Sequence, residues 1–590
     1  MLELGTKPRG VGTKDGSGRL FIEPNSSLLI FTTNSAATNK EQVTRTYYDA
    51  LISTTTAAYF GSGGPQHIRG RVTSVTYEET DDNNPATYNS ASHFSYDIHG
   101  NANIVIQQNN AMGSVAMGLK RIEYEYDLIS GAVQAVHYQK GEFDEFHHRY
   151  EYDAENRLVT AFSSRNGVVW EKESRNIYAA TGQMMRHELG DKLVQGTDYA
   201  FTLQGWLKVM NAGSLNTKRD IGKDGYGEDI TGNTSVNRDA GRDAVGQVLG
   251  YYTNDYWSKA LGAQALNDRF VTRVSSTTTQ ADYRELYNGN IAYQVVSLMN
   301  EQQVAIDNQL TAYRYDQLQR IKTANAHRNY NTTTNDFSGT TANAGAYKEG
   351  FTYDKNGNIL TVSRYGNLSG AQQEMDDLTY RYIDRSGTTM PVYAGSWSNN
   401  ATNRLGFVQD DVGLTGNYTS DVDNQSANNY LYDGIGNLVK DNAEQIKEIV
   451  WRADGKIARI ERNAGSLKPD LEFLYDASGQ RIAKIVKPRV AGGVRSQLHW
   501  TYTYYVRDVQ GNVMGVYERS YALVSGSTYS DKLNLGELHV YGGKRLGLVN
   551  VDSLTSRTFT DVNFVDAVGM VFVPNYNATT TTLRVRRVVW

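Results

Sequence analysis

A few short stretches of this 590-residue chain carry side chains of types that do chemistry. Phe146-His147-His148-Arg149 offers two adjacent imidazoles, and imidazole is the commonest metal ligand. On a strand, however, neighbouring side chains point to opposite faces, so this pair cannot close on one ion. Asp421-Val422-Asp423-Asn424-Gln425 opens with the spacing of an oxygen-rich calcium loop. Ser426 stands where that loop needs Gly, and Tyr432 stands where it needs an acidic twelfth ligand, so the stretch reads as a polar loop. Gly222, Gly225 and Gly227 lack the preceding apolar strand and the following helix of a phosphate site, and no Gly-Lys-Ser/Thr loop occurs. The 10 histidines are scattered, and spacing nominates no nucleophile with a base. No catalytic, metal or cofactor-binding residue is expected from these patterns.

The carboxylates that recur in a fixed pattern belong to turns. Tyr353-Asp354-Lys355-Asn356-Gly357-Asn358 is repeated as Tyr432-Asp433-Gly434-Ile435-Gly436-Asn437 and Tyr475-Asp476-Ala477-Ser478-Gly479-Gln480. Earlier copies are Tyr96-Asp97-Ile98-His99-Gly100-Asn101, Tyr126-Asp127 with Gly131, and Tyr152-Asp153. A late one is Asp508-Val509-Gln510-Gly511-Asn512. Asp at the first turn position accepts hydrogen bonds from the amides ahead of it, and Gly three residues on suits a left-handed backbone. The flanks read as strands: Arg149-Tyr150-Glu151-Tyr152 alternates, with both rings on one face. Each unit is therefore a β-hairpin. Asp433 and Asp454 lie 21 residues apart, and Asp454 and Asp476 lie 22 apart. That period holds two strands and two turns, a unit too small to bury a face without its neighbours. Repetition assigns these Asp residues a structural role, because an active site needs one constellation rather than many.

Composition narrows the classes further. Net charge is -5, which argues against a nucleic-acid binder with a large basic field. Tyr (41) outnumbers Phe (16) and Trp (7), as expected where a ring is half-buried and its hydroxyl is wet. Turns are built with Gly (55) rather than Pro (8). The absence of Cys excludes disulfides and thiolate metal sites. Met1 to Lys7 lacks a signal-peptide pattern, and no apolar run approaches the roughly 20 residues of a membrane-spanning helix.

In chain order, residues 1–70 read as an N-terminal β segment and 71–210 as a first block of hairpins. Residues 211–285 read as a Gly-rich, polar insertion with degenerate repeats, in which Lys218 to Gly246 is an inserted loop or a poorly ordered segment. A second hairpin block follows over 286–550, interrupted by an Asn/Thr/Gly-rich surface loop from Asn329 to Ala346. Residues 551–590 form an atypical tail in which Met570-Val571-Phe572-Val573 could pair weakly with a sheet edge.

Tandem Tyr-Asp hairpins ending in Gly-Asn at this period resemble the RHS/YD-repeat family, over most of residues 40–550. Tyr199 to Trp206 and Tyr505 to Val513 are similar to stretches of bacterial RHS proteins. The resemblance implies an all-β fold in which the hairpin array forms a spiralling, curved sheet, an open or partial hollow shell. It implies a non-enzymatic role, encapsulating or displaying a C-terminal passenger such as a polymorphic toxin, with a partner shell component as the other expected contact. It also implies a protein that is secreted or at the cell surface. The Asp-Pro-rich closing segment in which many members cleave themselves has no counterpart here, since no Asp-Pro dipeptide occurs. The expectation is a shell that neither cleaves itself nor seals both ends. Two other readings stand beside it: an adhesin or carbohydrate-binding repeat protein that stacks exposed aromatics on a surface glycan, and a glycan-active enzyme with two carboxylates across a groove.

Overall fold

The computed structural model describes residues 12–14, 20–22, 28–31, 41–113, 115–215, 219–227, 237–256, 284–328, 330–333, 335–337, 346–368, 371–384, 401–412, 418, 422, 424–491, 493–525, 528–551, 556–557 and 586–589. These form an all-β array of antiparallel hairpins, in which helix is confined to single turns such as Thr54–Ala58 and Val115–Gly118. The chain divides into two compact units, Met1–Glu173 with Gln445–Trp590, and Ser174–Glu444.

In the first unit, an N-terminal ladder runs through Glu41–Tyr48, Val72–Thr80, Ser90–Tyr96, Ala102–Asn109, Leu119–Tyr126, Val133–Tyr138, Phe146–Tyr152 and Leu158–Ser164. Each strand pairs with the one before it, the pattern that hairpin connections impose. A C-terminal ladder runs from Ile446–Trp451 through Ile457–Arg462, Asp470–Tyr475, Arg481–Lys487, Thr501–Arg507, Val513–Ser525 and Thr528–Tyr541 to Arg545–Asn550. Arg586–Val589 pairs onto Arg545–Asn550, so the tail does meet the ladder, through these residues. Met570 to Val573 lie outside the described residues.

The two ladders meet across a core that is partly polar. Ile122 and Phe146 are buried there, but so are Tyr138, Tyr517, Lys120 and Asp144. The Lys120 ammonium lies 2.7 Å from Asp144 Oδ2 and 4.5 Å from the Tyr517 ring centre. Tyr517 donates to Asp144, and its hydroxyl lies 2.6 Å from that of Tyr138. A buried charge pair is tolerated only when its remaining hydrogen-bonding capacity is met, and here the two phenols help meet it. Arg452 likewise donates to Tyr77 (2.7 Å) and to Glu79 (3.0 Å) in the opposite ladder.

In the second unit the ladder continues the same way from Met184–Leu189 to Ala401–Asp410, followed by the hairpin of Tyr430–Tyr432 and Leu438–Asp441. Its core gathers Val209, Val248, Val295, Leu310 and Phe337. Within the Asn329 to Ala346 stretch, expected as a surface loop, Phe337 corrects that expectation for the described residues around it. Tyr330–Asn331 and Asp336–Phe337 form a small hairpin, and the Phe337 ring is fully buried. Burying the Phe337 ring in this core stabilises the small hairpin despite its Asn and Thr neighbours.

Candidate functional site

The feature repeated most regularly in the structure is the hairpin turn with the strand on either side of it. At Asp354 the Gly357 amide donates to the Asp354 carbonyl (3.2 Å), and the Asp354 amide donates to the Asn358 carbonyl (2.9 Å). The Asp354 carboxylate accepts from the Asn358 amide at 2.7 Å and from its side chain, also at 2.7 Å. The same clasp forms at Asp97 with Gly100 and Asn101, at Asp433 with Gly436 and Asn437, and at Asp508 with Gly511 and Asn512. Asp476 uses Gly479 and the Gln480 amide, Asp153 uses Arg157, and Asp127 closes a longer turn through Ser130 and Gly131.

The glycines take the positive φ this geometry demands: +99° at Gly100, +72° at Gly131, +94° at Gly357, +101° at Gly436, +71° at Gly479 and +90° at Gly511. Where Gly is missing, Asn156 and Gln319 adopt φ near +60°, at 62° and 63°.

The tyrosine before the Asp has a second task that spacing alone did not reveal, and Tyr382 and Tyr541, which no Asp follows directly, share it. Each turn is flanked by a bulge, as at Ser95/Tyr96, Glu125/Tyr126 and Thr352/Tyr353, where one extra residue breaks the ladder. The residue opposite the tyrosine then has its carbonyl capped by the tyrosine of a following hairpin. Tyr96 donates to the Val72 carbonyl, Tyr126 to Ala102, Tyr152 to Val133, Tyr353 to Ile321, Tyr382 to Ile359, Tyr475 to Ile457 and Tyr541 to Val513, at 2.7–3.0 Å. Val72, Ala102, Val133, Ile321, Ile457 and Val513 are the register partners of Tyr48, Tyr96, Tyr126, Tyr315, Trp451 and Arg507. Arg507 stands in the tyrosine place before Asp508, and its Nε donates to the Arg481 carbonyl at 3.0 Å. Burial pushes Tyr382 and Tyr541 up to about 12, so their hydroxyls stay protonated donors at neutral pH.

Tyr432 follows the same rule, with its hydroxyl against the Leu405 backbone. Basic side chains add turn-to-turn ties. Arg320 donates to the Asp354 carbonyl (2.8 Å) and lies over the Tyr353 ring (4.6 Å), and Lys456 donates to the Gly479 carbonyl.

The turn carboxylates do not titrate alike. Partial desolvation pushes Asp97 and Asp433 up, but the donors on Asn101 and Gly100, and on Asn437 and Gly436, outweigh it and hold both below the ordinary value. Asp476 and Asp508 are half-buried, and there desolvation wins and raises them. Such different settings of one motif fit a backbone clasp and not a shared acid–base task.

His147 and His148 face opposite ways, as strand geometry requires. His147 Nδ1 lies 2.9 Å from His137 Nδ1, whereas His148 Nε2 donates to the His539 carbonyl at 3.0 Å. Burial holds His148 near 4, and burial with the His137 charge lowers His147. Asp421 and Asp423 lie outside the described residues. Gly222 and Gly225 make room for the side chains of Asp198 and Arg242. Among the described residues, Glu78, Asp81 and Asp82 have oxygens within 4.8 Å of one another, but the Arg45 guanidinium already bridges Glu78 and Asp81.

No family model matches the chain, and no curated protein matches it. Among solved structures, a TcdB2-TccC3-Cdc42 crystal structure aligns with 94% of this chain and 24% of its own, at 11% identity and a TM-score of 0.43. TcdB2-TccC3 without its hypervariable C-terminal region covers 92% and 28%, at 12% identity and 0.27. A Tc holotoxin pore of Photorhabdus luminescens covers 88% and 27%, at 12% identity and 0.19. The chain spans about a quarter of the length of these structures.

Three outcomes follow for the turns. Gly436→Val lowers stability by about 1–2 kcal/mol in urea unfolding, because a β-branched residue is forced to positive φ. The nearest side-chain atom to a methyl group there is 3.7 Å away, so the loss reports backbone and not overlap; an unchanged midpoint refutes the turn assignment. Tyr353→Phe keeps the ring and removes one donor, costing about 1 kcal/mol, whereas a neutral effect would mean that water serves the Ile321 carbonyl equally well. Asp433 has a folded pKa below its unfolded one, so its contribution is present above about pH 4 and is lost as pH falls through the folded value. The urea midpoint of Asp433→Asn therefore lies below that of the wild type at neutral pH and converges with it in acid; a gap that persists in acid contradicts this.

Proposed function

We propose that this chain is a wall segment of an RHS/YD-repeat shell, which works by enclosing or displaying a passenger polypeptide and not by catalysis. The observation that carries this reading is the tie between successive hairpins. At Tyr96, Tyr126, Tyr353 and Tyr475 the residue that opens one turn reaches back and caps a carbonyl beside an earlier bulge. A device of that kind serves to extend a sheet hairpin by hairpin, with no position singled out for chemistry. Paired strands leave few free amides and carbonyls for a protease or another chain to engage. The passenger, on this reading, is a C-terminal toxin, the other partner is a second shell component, and the place of action is outside the cell or at its surface.

The test fuses an unfolded reporter to the C-terminus of the chain and compares its trypsin digestion with that of the free reporter. The expected result is slower digestion of the fused reporter, short of full protection because the shell is not expected to seal both ends, and loss of that difference when the array is unfolded in urea; equal digestion of fused and free reporter, with the array intact, refutes enclosure. Intact mass followed over days should not change, and a clean cut at one site would overturn the non-enzymatic part.

A further inference from the structure

We infer that Glu125, His137, His147 and Glu145 form a latch across two strands that holds one proton more than two neutral imidazoles carry, and that opens when a second proton is added. The two histidines are register partners on Val133–Tyr138 and Phe146–Tyr152, and both are buried. Their Nδ1 atoms lie 2.9 Å apart. Their outer nitrogens are bonded as well: His137 Nε2 lies 3.0 Å from Glu125 Oε1, and His147 Nε2 lies 3.3 Å from Glu145 Oε2. The four side chains thus make one row of three hydrogen bonds.

An ionised carboxylate only accepts, so each outer bond takes a ring N–H, and the middle bond takes a third. A neutral imidazole has one N–H and an imidazolium has two. Two neutral rings fall one short: either two lone pairs face each other at the centre, or one faces a carboxylate. One neutral ring and one imidazolium fill all three bonds. Two imidazolium rings fill the outer bonds only, because two N–H groups then meet at the centre and like charges stand directly opposite on paired strands. Protons therefore enter in two steps that belong to the pair, the first closing the row and the second breaking it.

The surroundings decide which ring stays neutral. Burial, and then the His137 charge, lower His147; Glu145 opposes them and Lys140 adds to them. The partner of His147 on Leu158–Ser164 is the uncharged Ser164. His137 stands opposite Glu123, whose carboxylate lies 3.2 Å from Arg121, and beside the exposed Glu125. Asp144, in the connection between the two strands, is paired with Lys120, and His148 on the reverse face donates to the His539 carbonyl. His147 is therefore the neutral acceptor and His137 the donor. The turn after Leu158–Ser164 rests on His147. A methyl group at Gly167 would lie 3.5 Å from its Nε2, and the Trp170 ring, with Arg149 4.8 Å over it, stands 6.3 Å away. Because the folded value of His147 lies below its unfolded one, its neutral form contributes stability that is present above about pH 6.5 and is lost as pH falls toward the folded value. The second proton thus loosens the strand pair and the turn packed on it.

The experiment follows hydrogen exchange of the full chain by mass spectrometry from about pH 5 to about pH 9, each rate divided by the intrinsic rate at that pH. Peptides spanning residues 133–152 should be most protected between the two proton steps. They should lose about tenfold in protection toward about pH 5, and lose protection again on the alkaline side as the shared proton leaves. Peptides from Ala102–Asn109 should show neither loss. His148, which burial holds near 4, does not titrate in this range. Glu145→Gln removes the charge that favours the second proton, so its acid loss should move to lower pH. His147→Gln, whose amide can accept from His137 and donate to Glu145, should abolish both losses. Wild-type protection that stays flat toward about pH 5 overturns the latch, and protection that does not decline on the alkaline side overturns the proton count. Wild-type losses in His147→Gln, or an acid loss moved to higher pH in Glu145→Gln, also overturn the proposal. If His147→Gln fails to fold, the wild-type profile and Glu145→Gln still decide.

Discussion

A backbone carbonyl beside a bulge is the constraint on which the rest of this structure depends. Closing a hairpin with a four-residue turn and a glycine places one extra residue on the outgoing strand, and the ladder is locally interrupted. A buried or half-buried carbonyl there must find a donor. At the described bulges where a donor is seen, it comes from a following hairpin: a phenol at Tyr126 or Tyr382, a guanidinium at Arg507. The dominance of Tyr over Phe follows directly. Phenylalanine supplies the same ring area but no hydroxyl, so it covers the neighbouring hairpin and leaves the bulge unmet. Neighbouring hairpins are thereby tied at their turns as well as along their strands.

The interior of the first unit extends the same logic over long sequence separations. Tyr138 and Tyr517 share a hydrogen bond beside the Lys120–Asp144 pair, and His148 caps the His539 carbonyl. An apolar core of equal volume could be as stable as this one, because taking charges out of water costs about what their attraction returns. What the polar contacts add is register. A one-residue slip of either ladder turns each of these side chains to the wrong face and strands a buried charge. Such a slip is far less costly when two sheets meet through interchangeable aliphatic side chains.

How much of this was legible in the sequence depends on the range of the interaction. The turns were, because Asp354, Gly357 and Asn358 satisfy one another within five residues, and the opposed faces of His147 and His148 follow from strand geometry alone. The partner of each tyrosine hydroxyl was not. Tyr353 and Ile321 lie on different hairpins separated by a connection of variable length, so no fixed offset marks the pair. Phe337 was hidden by its Asn- and Thr-rich surroundings, whose propensity for loops a single buried ring overrides. Asp220, Asp224 and Asp243 were hidden for the same reason in reverse. Charged residues among glycines read as solvated, and for Asp224 only the bond from Arg186 in the structure shows what holds it inside.

The imperfect copies say the most about what the motif is for. Asn156 and Gln319 accept the positive φ that Gly takes elsewhere, and Arg157 and Arg320 reach the turn carboxylate in place of Asn. At Thr202 even the Asp is gone, yet the Gly205 and Thr202 amides close the same pair of backbone bonds. A catalytic constellation does not survive exchange of its acid, its glycine and its amide one at a time. A clasp that exists to satisfy backbone groups does, because any side chain that presents the right donor or tolerates the right φ will serve. Degeneracy in the series is therefore evidence about mechanism. It assigns the repeats to the construction of the sheet, and it directs the search for chemistry to the places where charge gathers without repeating.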